Sequence, residues 1–331
     1  MKMIDYDSPL ILIVTYKCNM RCAYCPVQKI SDTMKTETAL KAVELYLKNF
    51  QGPHHIRFIG GEPLLVMELV REVVRYAGLH AATERRLKFD LTTNGMLLTS
   101  KLLDYFLDNE KFELIVSLDG PWETHSAQRT TKGKRDSFSW SKVLYSLPPH
   151  SKNIAANKVV SPGNVETLVD DFKFIYEMGL RRINIIPAYY VFWPDRAIAA
   201  LKNNLDRLCD FISKLPQDKP VPIIKNTFQR GHFPLFNTGM VIDTDGIVYS
   251  SNHIMYRMLR EKRMEAARTS VWNFDASTLL GRNEEDYVFI SKYIDHRSLI
   301  TNRIVDKILT SFVEQIIEKS NAPFLSQLTD T

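Results

Sequence analysis

Between residues 10 and 187 six short strand-like runs appear, the first of them continuously apolar and rich in β-branched residues, and each is followed by a stretch with helical spacing. The runs cover residues 10–15 (Leu-Ile-Leu-Ile-Val-Thr), 55–60, 88–93, 112–118, 153–160 and 182–187. Continuous apolar runs of this length read as strands buried on both faces. Helices are expected at about 37–50, 65–82, 100–109, 139–147, 164–179 and 195–215, with Thr36 and Asn164 as caps and Gly179 as a stop. Strict strand–helix alternation calls for a parallel sheet with right-handed crossovers.

After residue 216 the pattern changes. Pro216, Pro220 and Pro222 mark a linker, and Met240 to Ser251 reads as two short strands around an Asp-Gly turn. A last helix is expected at about 302–319. The chain therefore divides into residues 1–215 and an extension, 216–331.

Composition is that of a soluble globular protein, with 45% hydrophobic and 24% charged residues in 331. No apolar run approaches the ~20 residues that span a bilayer, so no membrane association is expected. The first residues lack the apolar core of a secretion signal, which points to a reducing, cytoplasmic setting. A net charge of +5 does not demand nucleic acid, and none is expected as a partner. A polar loop holds Lys132, Gly133, Lys134 and Arg135. The densest basic run (Arg257, Arg260, Lys262, Arg263 and Arg268, against Glu261 and Glu265) reads as a solvated helix face; the alternative is a docking surface for an acidic peptide or phosphate.

Three of the four cysteines fall in eight positions, as Cys18-x3-Cys22-x2-Cys25, just after the first strand. Thiolates are soft ligands suited to zinc and iron–sulfur clusters. A closed zinc site needs a fourth ligand, for which His54 and His55 are the candidates. A [4Fe–4S] cubane held by three thiolates keeps one iron without a protein ligand, and that iron can bind a chelating molecule. Too few cysteines are present for a disulfide scaffold.

With these cysteines come Tyr24, then Gly60-Gly61-Glu62-Pro63, Thr92-Thr93-Asn94-Gly95, Ser117-Leu118-Asp119-Gly120-Pro121 and Arg129, each set at the C-terminal end of a strand except Tyr24 and Arg129. In this order the motifs resemble the radical S-adenosylmethionine (radical SAM) enzymes, over about residues 8–190. The resemblance implies an α/β fold, a partial (β/α)6 barrel, with a small C-terminal α+β extension. It also implies one [4Fe–4S] cluster on Cys18, Cys22 and Cys25. S-adenosylmethionine would chelate the open iron and be cleaved by one electron to a 5′-deoxyadenosyl radical that abstracts hydrogen from a substrate. By the same resemblance Gly60, Gly61 and Glu62 hold the methionine amino end, and Ser117 and Asp119 contact ribose or carboxylate. Arg129 pairs with the carboxylate, and Tyr24 meets adenine through its backbone. Asn94 is a cofactor contact or simply a turn residue.

Met240 to Ser251 resembles the start of the cysteine-rich SPASM extension of peptide-modifying members. Ser250 and Ser251 stand where a cysteine is usual, and no cysteine follows Cys209, so auxiliary clusters cannot be built on thiolates. Cys209 reads as a buried helix cysteine, the alternative being a hydrogen donor to a substrate radical. The expected function is hydrogen abstraction from a peptide, with a small molecule such as a sugar or nucleoside as the second reading. A reductant such as flavodoxin or ferredoxin is the expected partner. A non-catalytic metal-binding or docking protein is the alternative class.

Overall fold

The computed structural model describes residues 4–5, 9–81, 87–131, 133, 136–147, 151–216, 219–228, 238–279 and 283–319. The expected loop residues Lys132, Lys134 and Arg135 lie outside them.

In chain order the first half contains β1 (Ile4–Asp5), β2 (Leu10–Thr15), β3 (Met20–Cys22), α1 (Thr36–Asn49), β4 (Phe50–Gln51), β5 (His54–Gly60), α2 (Met67–His80), β6 (Leu87–Thr93), α3 (Ser100–Leu107) and β7 (Phe112–Ser117). It continues with α4 (Trp122–Gln128), β8 (Arg129–Thr131), β9 (Ile154–Val160), α5 (Leu168–Glu177), β10 (Arg182–Pro187) and α6 (Asp195–Ser213). The remainder holds β11 (Ile223–Ile224), β12 (Thr238–Ile242), β13 (Ile247–Ser251), α7 (Arg257–Arg260), β14 (Thr269–Ser270), α8 (Asn283–Tyr293) and α9 (His296–Lys319).

The main sheet among the described residues has ten strands in the order β11-β10-β9-β7-β6-β5-β2-β12-β13-β14. Its central six, β2, β5, β6, β7, β9 and β10, are parallel and neighbour one another in chain order. They are the six expected strands. The edge strands β11 and β14 do not pair with each other, so the sheet stays open as a partial barrel.

Every residue of β2 is buried. Its alternate side chains serve two cores, as the two-residue strand period requires. Leu10, Leu12 and Val14 join the outer core under α1, α2, α3, α5, α6 and α9. Ile11 and Ile13 join an inner core with Ile59, Tyr190, Val241, Met255 and Phe289. The inner core is therefore filled largely from the extension. Two of its strands do more than pack: β12 runs parallel to β2, and β13 returns antiparallel around Asp243-Thr244-Asp245-Gly246. The expected hairpin exists and continues the barrel sheet.

Some local expectations are corrected. Residues 139–146 form a 3-10 helix rather than an α-helix. Thr36 is the first residue of α1, and Lys35 takes the cap position without a side-chain bond. Asn164 turns its side chain back to accept from Ser161 N–H at 2.7 Å. The basic run is neither one helix nor a free surface. It breaks into α7 and a short 3-10 turn, and three of its arginines point at acids of this chain. Arg260 pairs with Asp243 and Asp32, Arg263 with Asp245 at 3.0 Å, and Arg268 with Glu285 at 2.6 Å and Asp286 at 3.1 Å. Residues far apart in sequence supplied the partners, which the local charge pattern could not reveal.

Cys209 is buried on α6 among the outer-core residues, on the far side of the sheet from the inner core. Cys209→Ser should therefore lower stability by about 1–3 kcal/mol, the cost of burying a hydroxyl in an apolar site, as read by chemical denaturation. An unchanged unfolding midpoint would contradict that packing.

Candidate active site

The loop from Tyr16 to Thr33 leaves the C-terminal end of β2 and carries all three motif cysteines. Its base is closed by Tyr16 N–H to Asp32 C=O at 2.8 Å and Met34 N–H to Val14 C=O at 2.9 Å. One wall is β5's end. Gly61 N–H donates to Thr15 C=O at 2.7 Å and Glu62 N–H to Lys17 C=O at 2.8 Å. A Cβ on Gly60 would lie 2.2 Å from the Thr15 carbonyl oxygen, and one on Gly61 2.2 Å from that of Lys17. Only glycine permits that approach. The two glycines thus let the turn reach the root of the cysteine loop.

Glu62 is fully buried. Its carboxylate accepts from Leu64 N–H at 2.9 Å, Thr93 Oγ1 at 2.7 Å and Asn94 N–H at 2.7 Å. Burial pushes its pKa up while these bonds and Lys29 oppose the rise. It ties the end of β5 to the end of β6. Asn94 Oδ1 accepts from Met96 N–H at 3.0 Å, a turn-forming bond. Its Nδ2 reaches Asn19 Oδ1 at 2.7 Å and Cys18 Sγ at 3.7 Å. The turn residue is also a contact of the cysteine loop.

The opposite wall is β8, which pairs antiparallel with β3 and sets Cys22 opposite Arg129. Ala23 N–H donates to Gln128 C=O at 2.8 Å, and Thr130 Oγ1 to Arg21 C=O at 2.6 Å. Arg129 makes a two-pronged pair with Asp119, Nε to Oδ2 at 2.9 Å and Nη2 to Oδ1 at 3.1 Å. Tyr24 Oη donates to the same carboxylate at 2.6 Å, and Val159 N–H donates to it at 3.1 Å. Arg129 also lies 5.4 Å from the Tyr24 ring centroid. Burial alone would raise the Asp119 pKa, but Arg129, Lys158 and these bonds hold it below its ordinary value. Ser117 ends β7, buried just before this turn.

All eleven residues named from the motifs thus sit at or beside one end of the sheet. Two further residues had no sequence signal. Lys29 lies near the thiols, whose charge raises its pKa against the effect of burial. His125 is buried beneath the Asp119 turn. Its Nε2–H donates to Ser137 C=O at 3.1 Å and its Nδ1 accepts from Asp119 N–H at 3.4 Å. Burial, then Arg129, lower its pKa to about 4. Only the fold brings Lys29 to the cysteines and His125 to the turn.

The donor set fits a cluster rather than a single ion. Burial raises the Cys22 pKa to about 11, with the charges of Cys25 and Cys18 adding to it, so the three thiols are neighbours. Yet no three His, Cys, Asp or Glu side chains among the described residues converge on a point where one metal ion could sit. In a four-iron cubane each thiolate binds a different iron, so convergence on one point is not needed. Metal binding requires deprotonated thiols, and Arg129 and Lys29 offset their charge. The zinc reading fails on geometry. His54 and His55 start β5, at the end of the sheet opposite the cysteines, where His54 Nε2 meets Phe50 C=O and His55 Nε2 meets Asp90.

In the extension, the position of the missing cysteine is filled by charge and hydroxyl. Ser250 Oγ bonds both oxygens of Asp286, at 2.9 and 2.7 Å, and Arg268 completes the buried triangle. Ser251 pairs with His253.

Arg129→Ala would leave the Asp119 carboxylate buried with its main charge partner gone. A loss of about 3–5 kcal/mol in unfolding free energy is expected, with Arg129→Lys restoring only part because it cannot make both bonds. Retained stability in Arg129→Ala would contradict a structural pair. His125 gives a pH signature. It is neutral in the fold with its pKa near 4, against about 6.5 when unfolded. The unfolded state binds the proton first, so stability is full above about pH 6.5 and falls by roughly 2–4 kcal/mol toward pH 4. Urea titrations across that window should flatten in His125→Gln.

Residues 12–144 match the model of the Radical SAM superfamily. The cysteine-type anaerobic sulfatase-maturating enzyme of Clostridium perfringens (strain 13 / Type A) is 30% identical over 141 residues, 40% of this chain and 38% of that protein. The GTP 3′,8-cyclase of Clostridium botulinum (strain Okra / Type B1) is 28% identical over 183 residues, 53% of this chain and 55% of that one. The chain thus spans about half or less of the length of these curated relatives. Among solved structures, native anSMEcpe with bound AdoMet and Kp18Cys peptide superposes with a TM-score of 0.68 at 19% identity, over 87% of this chain and 83% of that one. Cysteine spacing, strand-end motifs, open parallel sheet and family match agree: residues 12–144 form a domain of the radical SAM superfamily, whose enzymes use a [4Fe–4S] cluster and S-adenosylmethionine.

Proposed function

We propose that this chain reductively cleaves S-adenosylmethionine and abstracts hydrogen from a peptide. The observation that carries the reading is the cysteine loop itself, held at the strand ends by β8 opposite Cys22, by Asn94 beside Cys18 and by the Gly61 and Glu62 turn. Cys18, Cys22 and Cys25 would hold the cluster, which with S-adenosylmethionine supplies one-electron cleavage of a carbon–sulfur bond. Around it the chain's residues do ordinary work. Glu62 and Asp119 brace the turns, β8 fixes Cys22, and Lys29 and Arg129 supply positive charge beside the thiols.

Gly60, Gly61, Asn94 and Ser117 would line the cofactor, with Tyr24 beside adenine. The bonds already made by Glu62 and Arg129 leave each room for one further partner, Glu62 through a remaining lone pair and Arg129 through its unused N–H groups. The peptide reading is supported by the relation to the sulfatase-maturating enzyme and by the fold likeness to a peptide-bound structure. The relation to the GTP cyclase favours the second reading, a nucleoside or sugar. Residues 216–331 would act as an extension without a cluster, and a flavodoxin or ferredoxin would deliver the electron.

Anaerobic reconstitution should load about four irons per chain, and Cys22→Ala should lose the cluster's visible absorbance. A reproducible ~8 or ~12 irons would sink the one-cluster reading. 5′-Deoxyadenosine released on reduction should rise with peptide rather than with nucleoside or sugar; the reverse preference would favour the second reading.

A further inference from the structure

Tyr190 follows β10 at its C-terminal end. Among the described residues it is the one non-glycine residue with positive φ, at 61°. A bulky side chain in that region is strained, and such strain persists only where the surroundings impose it. Here α9 imposes it. Asn302 Oδ1 accepts from the Tyr190 N–H at 2.6 Å, and Asn302 Nδ2 donates to the Val191 C=O at 2.7 Å. The turn is closed by Trp193, whose N–H donates to Thr301 Oγ1 at 3.2 Å and whose indole N–H donates to Ala188 C=O at 3.0 Å.

The bent backbone carries the phenol into the inner core, where Tyr190 is 9% exposed. Its ring centroid lies 4.6 Å from that of Tyr256. Tyr256 in turn bridges to Val27, two residues past Cys25, and Arg257 N–H donates to Pro26 C=O at 2.8 Å. Tyr190 is thus one ring removed from the cysteine loop. Its hydroxyl oxygen is buried and meets no hydrogen-bond partner among the described residues. Buried hydroxyls nearly always have one. A strained backbone that delivers an unpartnered O–H one ring away from the cysteine loop is organised for something that enters from outside.

A radical site without auxiliary clusters needs a way to end its reaction. The chain's only cysteine outside the loop is on the outer face of the sheet. We propose that Tyr190 is the internal hydrogen donor: its buried O–H, in the inner core where the cysteine loop meets the extension, gives hydrogen to a carbon radical formed beside that core. The phenol O–H bond breaks, a C–H bond forms on the radical carbon, and the unpaired electron moves to the phenoxyl oxygen. A one-electron reductant of the flavodoxin or ferredoxin class reduces the phenoxyl, and a proton from water restores the phenol. This inference rests on the S-adenosylmethionine reading above.

The test needs no natural substrate. The reconstituted full chain is given S-adenosylmethionine and Ti(III) citrate in D2O, and deuterium in the released 5′-deoxyadenosine is measured by mass spectrometry. The phenolic hydrogen exchanges with solvent, so wild type and Cys209→Ser should give deuterated product alike. Tyr190→Phe should lower the deuterated fraction at least fivefold while 5′-deoxyadenosine still forms. Undiminished deuterium in Tyr190→Phe overturns the donor role and leaves the cleavage reading standing. No 5′-deoxyadenosine from wild type removes both. A second readout is independent of turnover: thermal denaturation of the full chain, before reconstitution. Loss of an unpartnered hydroxyl should leave Tyr190→Phe at least as stable, with Tm higher by about 2 °C. A Tm several degrees lower would mean that the hydroxyl has a partner inside the protein, and would overturn the proposal.

Discussion

The Asp119 carboxylate stands where four segments of the chain meet. It accepts from Arg129 at the start of β8, from Tyr24 in the cysteine loop and from the backbone of β9, while its own N–H meets His125 of α4. Desolvating a carboxylate is costly unless charge and hydrogen bonds replace the lost water. Here they are replaced so fully that the acid stays ionised in the interior. The consequence is geometric. Arg129 cannot shift without exposing a buried charge, β8 cannot shift without Arg129, and β3 with Cys22 is paired to β8. The position of a cysteine near the start of the chain is thus set by an ion pair formed about a hundred residues later.

A second ion pair does the same from the extension. Arg260 pairs with Asp243 and Asp32 and donates to the Tyr16 hydroxyl at 2.6 Å, with its guanidinium 4.0 Å from that ring's centroid. Tyr16 and Asp32 close the base of the cysteine loop. The extension therefore bonds to the loop at its base through Arg260 and at its exit through the bridge between Val27 and Tyr256. Buried pairs of this kind add little net stability over apolar packing but are strict about geometry.

The fold was legible because the sheet announces itself. A strand buried on both faces, such as Leu10–Thr15, has no choice but to be apolar throughout, and six strands alternating with helices in series leave few topologies. The strand-end motifs were legible because glycine and short acidic turns have local causes, as the contacts of Gly60 and Gly61 bear out. What stayed hidden depended on distant partners. The basic run from Arg257 to Arg268 looked like a surface helix because its acids, Asp32, Asp243 and Asp286, lie elsewhere in the chain. Glu62 looked like a ligand contact from its motif, and its three internal bonds reach residues up to 32 positions away. Lys29 and His125 carry no spacing signal at all.

The place of the missing cysteine shows how an interior can lose a metal-binding residue and stay ordered. A buried cysteine without a metal would be a neutral thiol, only a weak hydrogen-bond donor. Ser250 instead offers a hydroxyl that Asp286 can accept from with both oxygens, and Arg268 neutralises the carboxylate. The triangle is closed, so the cross-connection between β13 and α8 survives without a metal. Nearby, the inner core departs from that economy, since Tyr190 keeps a strained backbone and an unsatisfied hydroxyl that the same packing could have removed. Tyr190 Oη is one of seven buried side-chain polar atoms without a hydrogen-bond partner among the described residues, and of these it is the one carried on a backbone with positive φ, a combination that selection for stability alone would favour removing.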